Sequence, residues 1–241
     1  MAATAPATFR LVVDPPRSGA ANMALDLAAL ETAALQGLGT VRIYSFAPAC
    51  LSLGKLQSDS DVDLDACRRD RVDVVRRPTG GRSILHDAEV TYSVACRADD
   101  VDFGGDVLTS CARIHAVVAR ALATLGVATA AMARSRDERA AGRERATIAD
   151  CFARPASHEL LDRDGHKLVG SAQARYRNAL LQHGSILLEP PRAYGYFRGA
   201  AIPSAATRGV NRLANHQLGG DELRDTLAHA FRNHIGARAI D

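Results

Sequence analysis

Two arginines, a Thr-Gly-Gly turn and a histidine–aspartate pair follow one another in RRPTGGRSILHD, residues 76–87. Gly80 and Gly81 carry no side chain, so the backbone there can come close to a ligand and turn its N–H groups toward an oxygen. Taken alone, such a turn is more often a hairpin with a salt-bridged rim, and a lone His86 more often a satisfied core histidine. KLVGSAQ, residues 167–173, adds a cation and a mid-strand glycine; a glycine such as Gly170 weakens pairing and marks a close approach of backbone or ligand. In a regular strand Lys167, Val169, Ser171 and Gln173 share one face, and Leu168, Gly170 and Ala172 the other. Cys151 stands in ADCFARP, shortly before that strand. It reads equally as a small core hydrophobe or as a nucleophile. A thiolate needs a depressed pKa, and a nearby cation such as Lys167 is one way to supply it. QHGSILL, residues 182–188, brings His183, Gly184 and Ser185 onto a further strand.

The cations are unevenly chosen. Among 30 basic residues the lysines are Lys55 and Lys167, and the rest are arginine. A position that stays lysine in such a composition is one where a compact ammonium of tunable basicity does what a guanidinium fork cannot. Against 27 acids the net charge is +3, spread along the chain, which gives no nucleic-acid footprint. With 47% hydrophobic and 24% charged residues, residues 1–241 are expected to bury one core as one catalytic domain. There is no run of 18 apolar residues, and MAATAPATFRLVVDPPR lacks the basic-then-apolar order of a signal peptide, so a cytoplasmic protein without membrane contact is expected. Five cysteines (Cys50, Cys67, Cys96, Cys111, Cys151), odd in number and without a CxxC pair, suit reduced thiols better than disulfides or a metal site.

The elements that must hold these residues follow from periodicity. Ser18 is placed to cap a helix through Met23–Leu35, and Val107–Leu125 reads as an amphipathic helix on Leu108, Cys111, Ala112, His115, Val118 and Leu122, stopped at Gly126. VRIYSFAPACLSLG (41–54) reads as a hairpin or bent strand pair broken at Pro48, followed by a short helix over Asp61–Arg69. Strands are expected over 72–77 and 84–96, either side of the PTGG turn. Asp164-Gly165 is a two-residue hairpin turn inside 158–175, and 178–189 supplies another strand. Arg134–Arg145 is densely charged and reads as a solvated loop; Asp221–His234 reads as a last helix with Leu223, Leu227, Ala230 and Phe231 inward. The strands and helices mix without strict alternation, which predicts an α/β (α+β) fold, a mixed β-sheet with flanking helices.

The order of motifs resembles the lipoate/biotin protein ligase superfamily, and most closely its cysteine-dependent octanoyltransferases. The resemblance is carried by NMALD (22–26), SLGKLQ (52–57), RRPTGGRSILHD with EVTYSV (89–94), DCF (150–152), KLVGSAQ and LQHGSILL (181–188). It implies that Cys151 takes octanoyl from octanoyl-acyl carrier protein as a thioester and passes it to a lysine of a lipoyl-domain protein, such as the glycine cleavage H protein or a dehydrogenase E2 subunit. It further implies that Lys167 lowers the cysteine pKa and orients the acyl carbonyl. Arg77, Thr79, Gly80, Gly81, Arg82, His86, Gly170, Gln173, His183, Gly184 and Ser185 would then form the substrate site.

The resemblance leaves alternatives. An ATP-dependent lipoate-protein ligase would use ATP and magnesium, with Arg77, Gly80, Gly81 and Lys167 holding an acyl-adenylate. An amidotransferase would move octanoyl between two lipoyl-domain proteins. Arg82 stands where ATP-using ligases resemble one another in a third glycine, and the chain leaves little room for a C-terminal accessory domain; both favour transfer without a cofactor. Biotin attachment is disfavoured because a GRGRxxR-like signature is absent.

Overall fold

The computed structural model describes residues 8–131, 159–190, 195–198 and 208–240. The expected Arg134–Arg145 loop and Cys151 lie outside them. A six-stranded sheet runs in the order β11-β1-β2-β6-β10-β9, built from β1 (Phe9–Val13), β2 (Gly39–Tyr44), β6 (Glu89–Arg97), β9 (Val169–Tyr176), β10 (Ala179–Leu187) and β11 (Ala239–Ile240). β1 pairs in parallel with β2 and β11, while β2–β6, β6–β10 and β10–β9 are antiparallel, so the sheet is mixed as expected. A second sheet has β3 (Cys50–Leu53) between β4 (Asp73–Arg76) and β5 (Ile84–His86). β7 (Ala130–Ala131) pairs with β8 (Leu160–Leu161).

Helix α1 (Gly19–Gln36) starts where Ser18 accepts from the Ala21 N–H, as its sequence predicts, and ends at Gly37 in the left-handed conformation. Ala29, Leu30 and Ala33 pack on Ala95 and Leu181, which puts α1 on one face of the large sheet. The other face carries α3 (Val107–Thr124) and α4 (Gly220–Ile235), through Ile114, Val117, Val118 and Leu122 and through Leu223, Leu227 and Phe231. α3 is long and apolar enough to cross a membrane by composition, yet that stripe lies on Val94, Tyr92 and Leu180 of the sheet. Its buried face is rotated from the expected one: Ile114 and Val117 are inside, and Ala112 is exposed.

Two expectations are corrected. Residues 41–54 are not a hairpin, because β2 belongs to the large sheet and β3 to the small one. Residues 84–96 are likewise not one strand: β5 pairs with β3, and after Asp87-Ala88 the chain enters β6 in the large sheet. The short helix expected over 61–69 is a single turn at Asp59–Asp61 followed by α2 (Leu64–Arg69). These crossings place the small sheet over the α1-covered face of the large one, and the space between them is the site.

Candidate active site

The floor is laid by strand alternation. Pairing aligns Arg42, Ser93, His183 and Ala172 in one row across β2, β6, β10 and β9, and Tyr44, Thr91, Ser185 and Gly170 in the next. Side chains two apart share a face, so both rows look toward α1 and the small sheet. A cavity opens there, lined by Met23, Tyr44, Phe46, Ser52, Arg77, Ile84, His86, Thr91, Gly170, Ala172, His183, Gly184 and Ser185.

Most polar groups on this wall are engaged away from the cavity. Asp26 of α1, fully buried, takes Arg42 Nη1 at 2.5 Å, Tyr44 Oη at 2.8 Å, Ser93 Oγ at 2.8 Å and His183 Nδ1 at 3.0 Å. Burial pushes its carboxyl up, but the hydrogen bond and charge of His183, with Arg42 and Ser93, outweigh that and hold it below the usual range. His183 Nδ1 faces that carboxylate, and its Nε2 is hydrogen-bonded to Thr79 Oγ1 at 2.7 Å. Thr79 Oγ1 in turn accepts from Arg77 Nε at 3.1 Å. The other guanidinium nitrogens of Arg77 donate to the Ser52, Gly80 and Arg82 carbonyls. Arg77 is therefore a brace inside the Gly-Gly turn.

Glu89 is the second buried carboxylate. Its Oε2 accepts from Thr91 Oγ1 at 2.5 Å and Ser185 Oγ at 2.8 Å, while Oε1 is buried without a hydrogen-bond partner among the described residues. His86 stacks on Phe46 with ring centroids 4.0 Å apart and bonds Ser52 Oγ through Nε2 at 2.9 Å. Its Nδ1, also buried and unbonded, lies 3.8 Å from Glu89 Oε2, too far for a hydrogen bond. Burial holds the His86 imidazole below the usual histidine range, with Glu89 opposing.

The turn itself is a close backbone contact. Gly81 has φ +91°, a left-handed conformation, and a Cβ on Gly54 would fall 1.8 Å from the Gly81 carbonyl oxygen. The Lys55 N–H donates to Thr79 O at 2.8 Å. Gly54 of SLGKLQ thus fits because the two loops pack backbone to backbone.

Of the expected site residues, Arg77, Thr79, His86, Gly170, His183, Gly184 and Ser185 come together at the cavity. Gly80 and Gly81 are exposed on the braced turn and Arg82 is half-buried beside them. Gln173 is corrected: it belongs to the opposite face, where its Nε2 donates to Ser110 Oγ of α3 and to Gln182 Oε1. Gly184 is explained by packing as much as by any ligand, since a Cβ there would meet the Tyr92 ring and hydroxyl at 2.6 Å. Lys167 does not line the cavity. Its Nζ lies 2.5 Å from Glu159 Oε1, both side chains buried, three residues before Gly170. Asp26, Glu89, Ser93 and Glu159 were not singled out from sequence. Asp26 falls within NMALD and Glu89 opens EVTYSV, a signal that only the motifs carried.

The remaining thiols are poor nucleophiles. Burial raises the pKa values of Cys50, Cys67 and Cys96, and brings that of Cys111 up to about 11 with help from Glu159. Asp162, Asp164 and His166 bring possible metal-ligating atoms within 4.8 Å of one another. Arg208 bonds both carboxylates, however, and Asp162 also accepts the Asp164 and His166 N–H groups, so the cluster serves its own turn.

The lipoyl protein ligase A/B catalytic domain model matches residues 18–230. The chain belongs to that family. Among curated members it is similar to the octanoyltransferase LipM of Kyrpidia tusciae, 36% identical over 96% of this chain and 88% of that protein. It is also similar to the octanoyltransferase LipM of Moorella thermoacetica, 40% identical over 93% and 85%. The fold matches, with a TM-score of 0.72 at 20% identity over 98% of this chain and 88% of the other, a structure described as a bipartite lipoate protein ligase and its E2 lipoyl domain from Thermoplasma acidophilum. In this lipoyl ligase-type domain the hydroxyls of Tyr44, Thr79, Thr91 and Ser185 on the wall of the α1-facing cavity are already bonded to protein groups.

Proposed function

We propose that the chain is a protein N-octanoyltransferase of protein lipoylation that works through a thioester on Cys151. The wall of mostly satisfied polar groups around the cavity carries this reading, because its hydroxyls on Tyr44, Thr79, Thr91 and Ser185 are bonded to protein groups and leave His86 Nδ1 and Glu89 Oε1 as the unbonded atoms there among the described residues, which suits a saturated chain. The activity named for its relatives, which are alike over most of the chain, supports it too. So does the raised pKa of every described cysteine, which leaves Cys151 as the candidate nucleophile.

In the first step the Cys151 thiolate attacks the carbonyl carbon of octanoyl-acyl carrier protein. A new C–S bond forms, the donor C–S bond breaks, and the carrier leaves as a thiolate that takes up the proton Cys151 gave up on ionising. In the second, the amine of a lipoyl-domain lysine attacks the enzyme thioester; a C–N bond forms, the amine loses a proton and the Cys151 thiol is restored. Thioester exchange is close to isoenergetic, so no nucleotide or metal is needed to drive it, and the covalent intermediate divides one difficult transfer into two. Each step passes through an oxyanion, and one aimed donor is worth about 3 kcal/mol there. The Lys167 ammonium and the N–H groups of the exposed Gly80-Gly81 turn are our candidates. The acceptor is a lipoyl domain of a glycine cleavage H protein or a dehydrogenase E2 subunit, and the reading places the enzyme in the cytoplasm.

Intact mass spectrometry after incubation with octanoyl-acyl carrier protein tests this. An octanoyl mass gain in wild type that disappears in Cys151→Ala is the expected result. Acylation of a lipoyl domain only with free octanoate plus ATP and magnesium would establish the ligase instead, and octanoyl taken only from another lipoyl-domain protein the amidotransferase.

A further inference from the structure

Lys167 is 2% exposed, and an ammonium taken out of water loses its proton unless an opposite charge compensates. Glu159, itself buried, meets it at 2.5 Å. One hairpin holds both. Glu159 immediately precedes β8, Lys167 pairs with Leu161, and the Leu168 N–H donates to Leu160 O at 3.0 Å. The hairpin is closed by Asp162, which accepts from the backbone of Asp164 and His166 and pairs with Arg208. The spacing of carboxylate and amine is therefore set by backbone pairing rather than by a flexible loop.

On this side of the sheet His115 of α3 is bonded to Cys111 Sγ and Ser171 Oγ, and the pair acts electrostatically on Cys111 of α3 and Tyr92 of β6. Burial raises both, so they stay neutral at neutral pH. His166, next in the chain to Lys167, is engaged by Asp162. Glu159 is an anion that meets the ammonium at 2.5 Å.

We propose that Glu159 is a positioning residue for the transfer reaction, keeping Lys167 protonated and fixed at one point of the hairpin as a hydrogen-bond donor. The role given to Lys167 rests on the transferase reading; the pairing does not. A paired ammonium projects little net charge, so Lys167 acts at short range through its N–H bonds and only weakly as a distant field on a thiol.

Because the chain has two lysines, protein labelled with [ε-15N]lysine gives two ammonium signals, and Lys167→Arg identifies the buried one. Wild type should keep the Lys167 ammonium through neutral pH. In Glu159→Gln it should be lost at a pH lower by about one unit or more, the alkaline limb of octanoyl transfer should move down with it, and Glu159→Asp should restore both. A merely structural role would lower the rate by the same factor at every pH. The proposal is overturned if the Lys167 signal of Glu159→Gln titrates as in wild type, or if wild-type Lys167 is already a neutral amine at neutral pH, an outcome that needs no variant to fold. A wild type that transfers no octanoyl sinks the transferase reading instead, while the lysine titration still decides the pairing.

Discussion

Asp26 Oδ2 accepts from His183 Nδ1 at 3.0 Å, tying the middle of α1 to the middle of β10 across 157 positions of sequence. Through His183 and Thr79 the bond reaches the Gly-Gly turn, so the shape of a surface turn depends on a carboxylate buried under a helix. Asp26 also holds Arg42, whose other ion-pair partner is Asp14.

Replacing Asp26 should therefore be costly in two degrees. Asp26→Ala leaves a buried guanidinium half-paired and an imidazole without its acceptor, for a loss of about 3–5 kcal/mol. Asp26→Asn keeps an acceptor and loses less, about 1–3 kcal/mol. The carboxyl is held below its ordinary value of 3.8, so its stabilisation is full above that pH and is lost as pH falls through the lower folded-state value. Urea unfolding of wild type and Asp26→Asn should show a gap that is constant near neutrality and closes in strong acid.

His86 titrates in the other sense. Its folded-state pKa lies below the ordinary 6.5, so below that pH the unfolded chain takes up a proton that the folded one refuses. Stability should fall as pH drops from about 6.5, with a slope from this residue of at most about 1.4 kcal/mol per pH unit. A slope equally steep in His86→Gln would show that another group is responsible.

The Gly-Gly turn offers a matched pair of glycines. A Cβ on Gly54 meets backbone 1.8 Å away and cannot be accommodated without moving the turn, whereas a Cβ on Gly80 meets nothing within 4 Å. Gly54→Ala should lower the melting temperature and abolish octanoyl transfer, and Gly80→Ala should fold like wild type. Equal thermal stability of the two variants would contradict the contact.

Lys167→Arg keeps the charge but replaces a compact ammonium with a longer planar fork beside Glu159. If Lys167 holds the reacting carbonyl as proposed, a displacement of about 1 Å costs roughly 10²-fold. A single-turnover transfer rate within a few-fold of wild type would remove Lys167 from the chemistry.

Much of this was legible in the sequence where a residue's role is local. Ser18 caps α1 through its own side chain, and a hairpin does turn at Asp164-Gly165, although its loop spans Arg163–Gly165 between the bonded Asp162 and His166 and not two residues. The cavity residues of RRPTGGRSILHD and LQHGSILL were found through motif order. What was lost depends on partners far away. Residues 41–54 have strand composition throughout, and nothing local says that β2 and β3 join different sheets. The alternation of KLVGSAQ correctly separates Gly170 and Ala172 from Ser171 and Gln173, but a strand's own pattern cannot say which of its faces meets the cavity, and Gln173 was assigned to the wrong one. Asp26 and Glu89 look like surface acids until their donors arrive from three different strands.

The near-absence of lysine has a further consequence for an enzyme that carries an activated acyl group. A thioester acylates whatever amine reaches it, whereas a guanidinium is too weakly nucleophilic to compete. Of the two side-chain amines in this chain, Lys167 is buried against Glu159 and Lys55 alone is exposed. A surface whose positive charge is otherwise carried by arginine keeps its solubility and its charge pairs while offering almost nothing for the enzyme to label on itself, so the amine that enters the site is one that a partner brings.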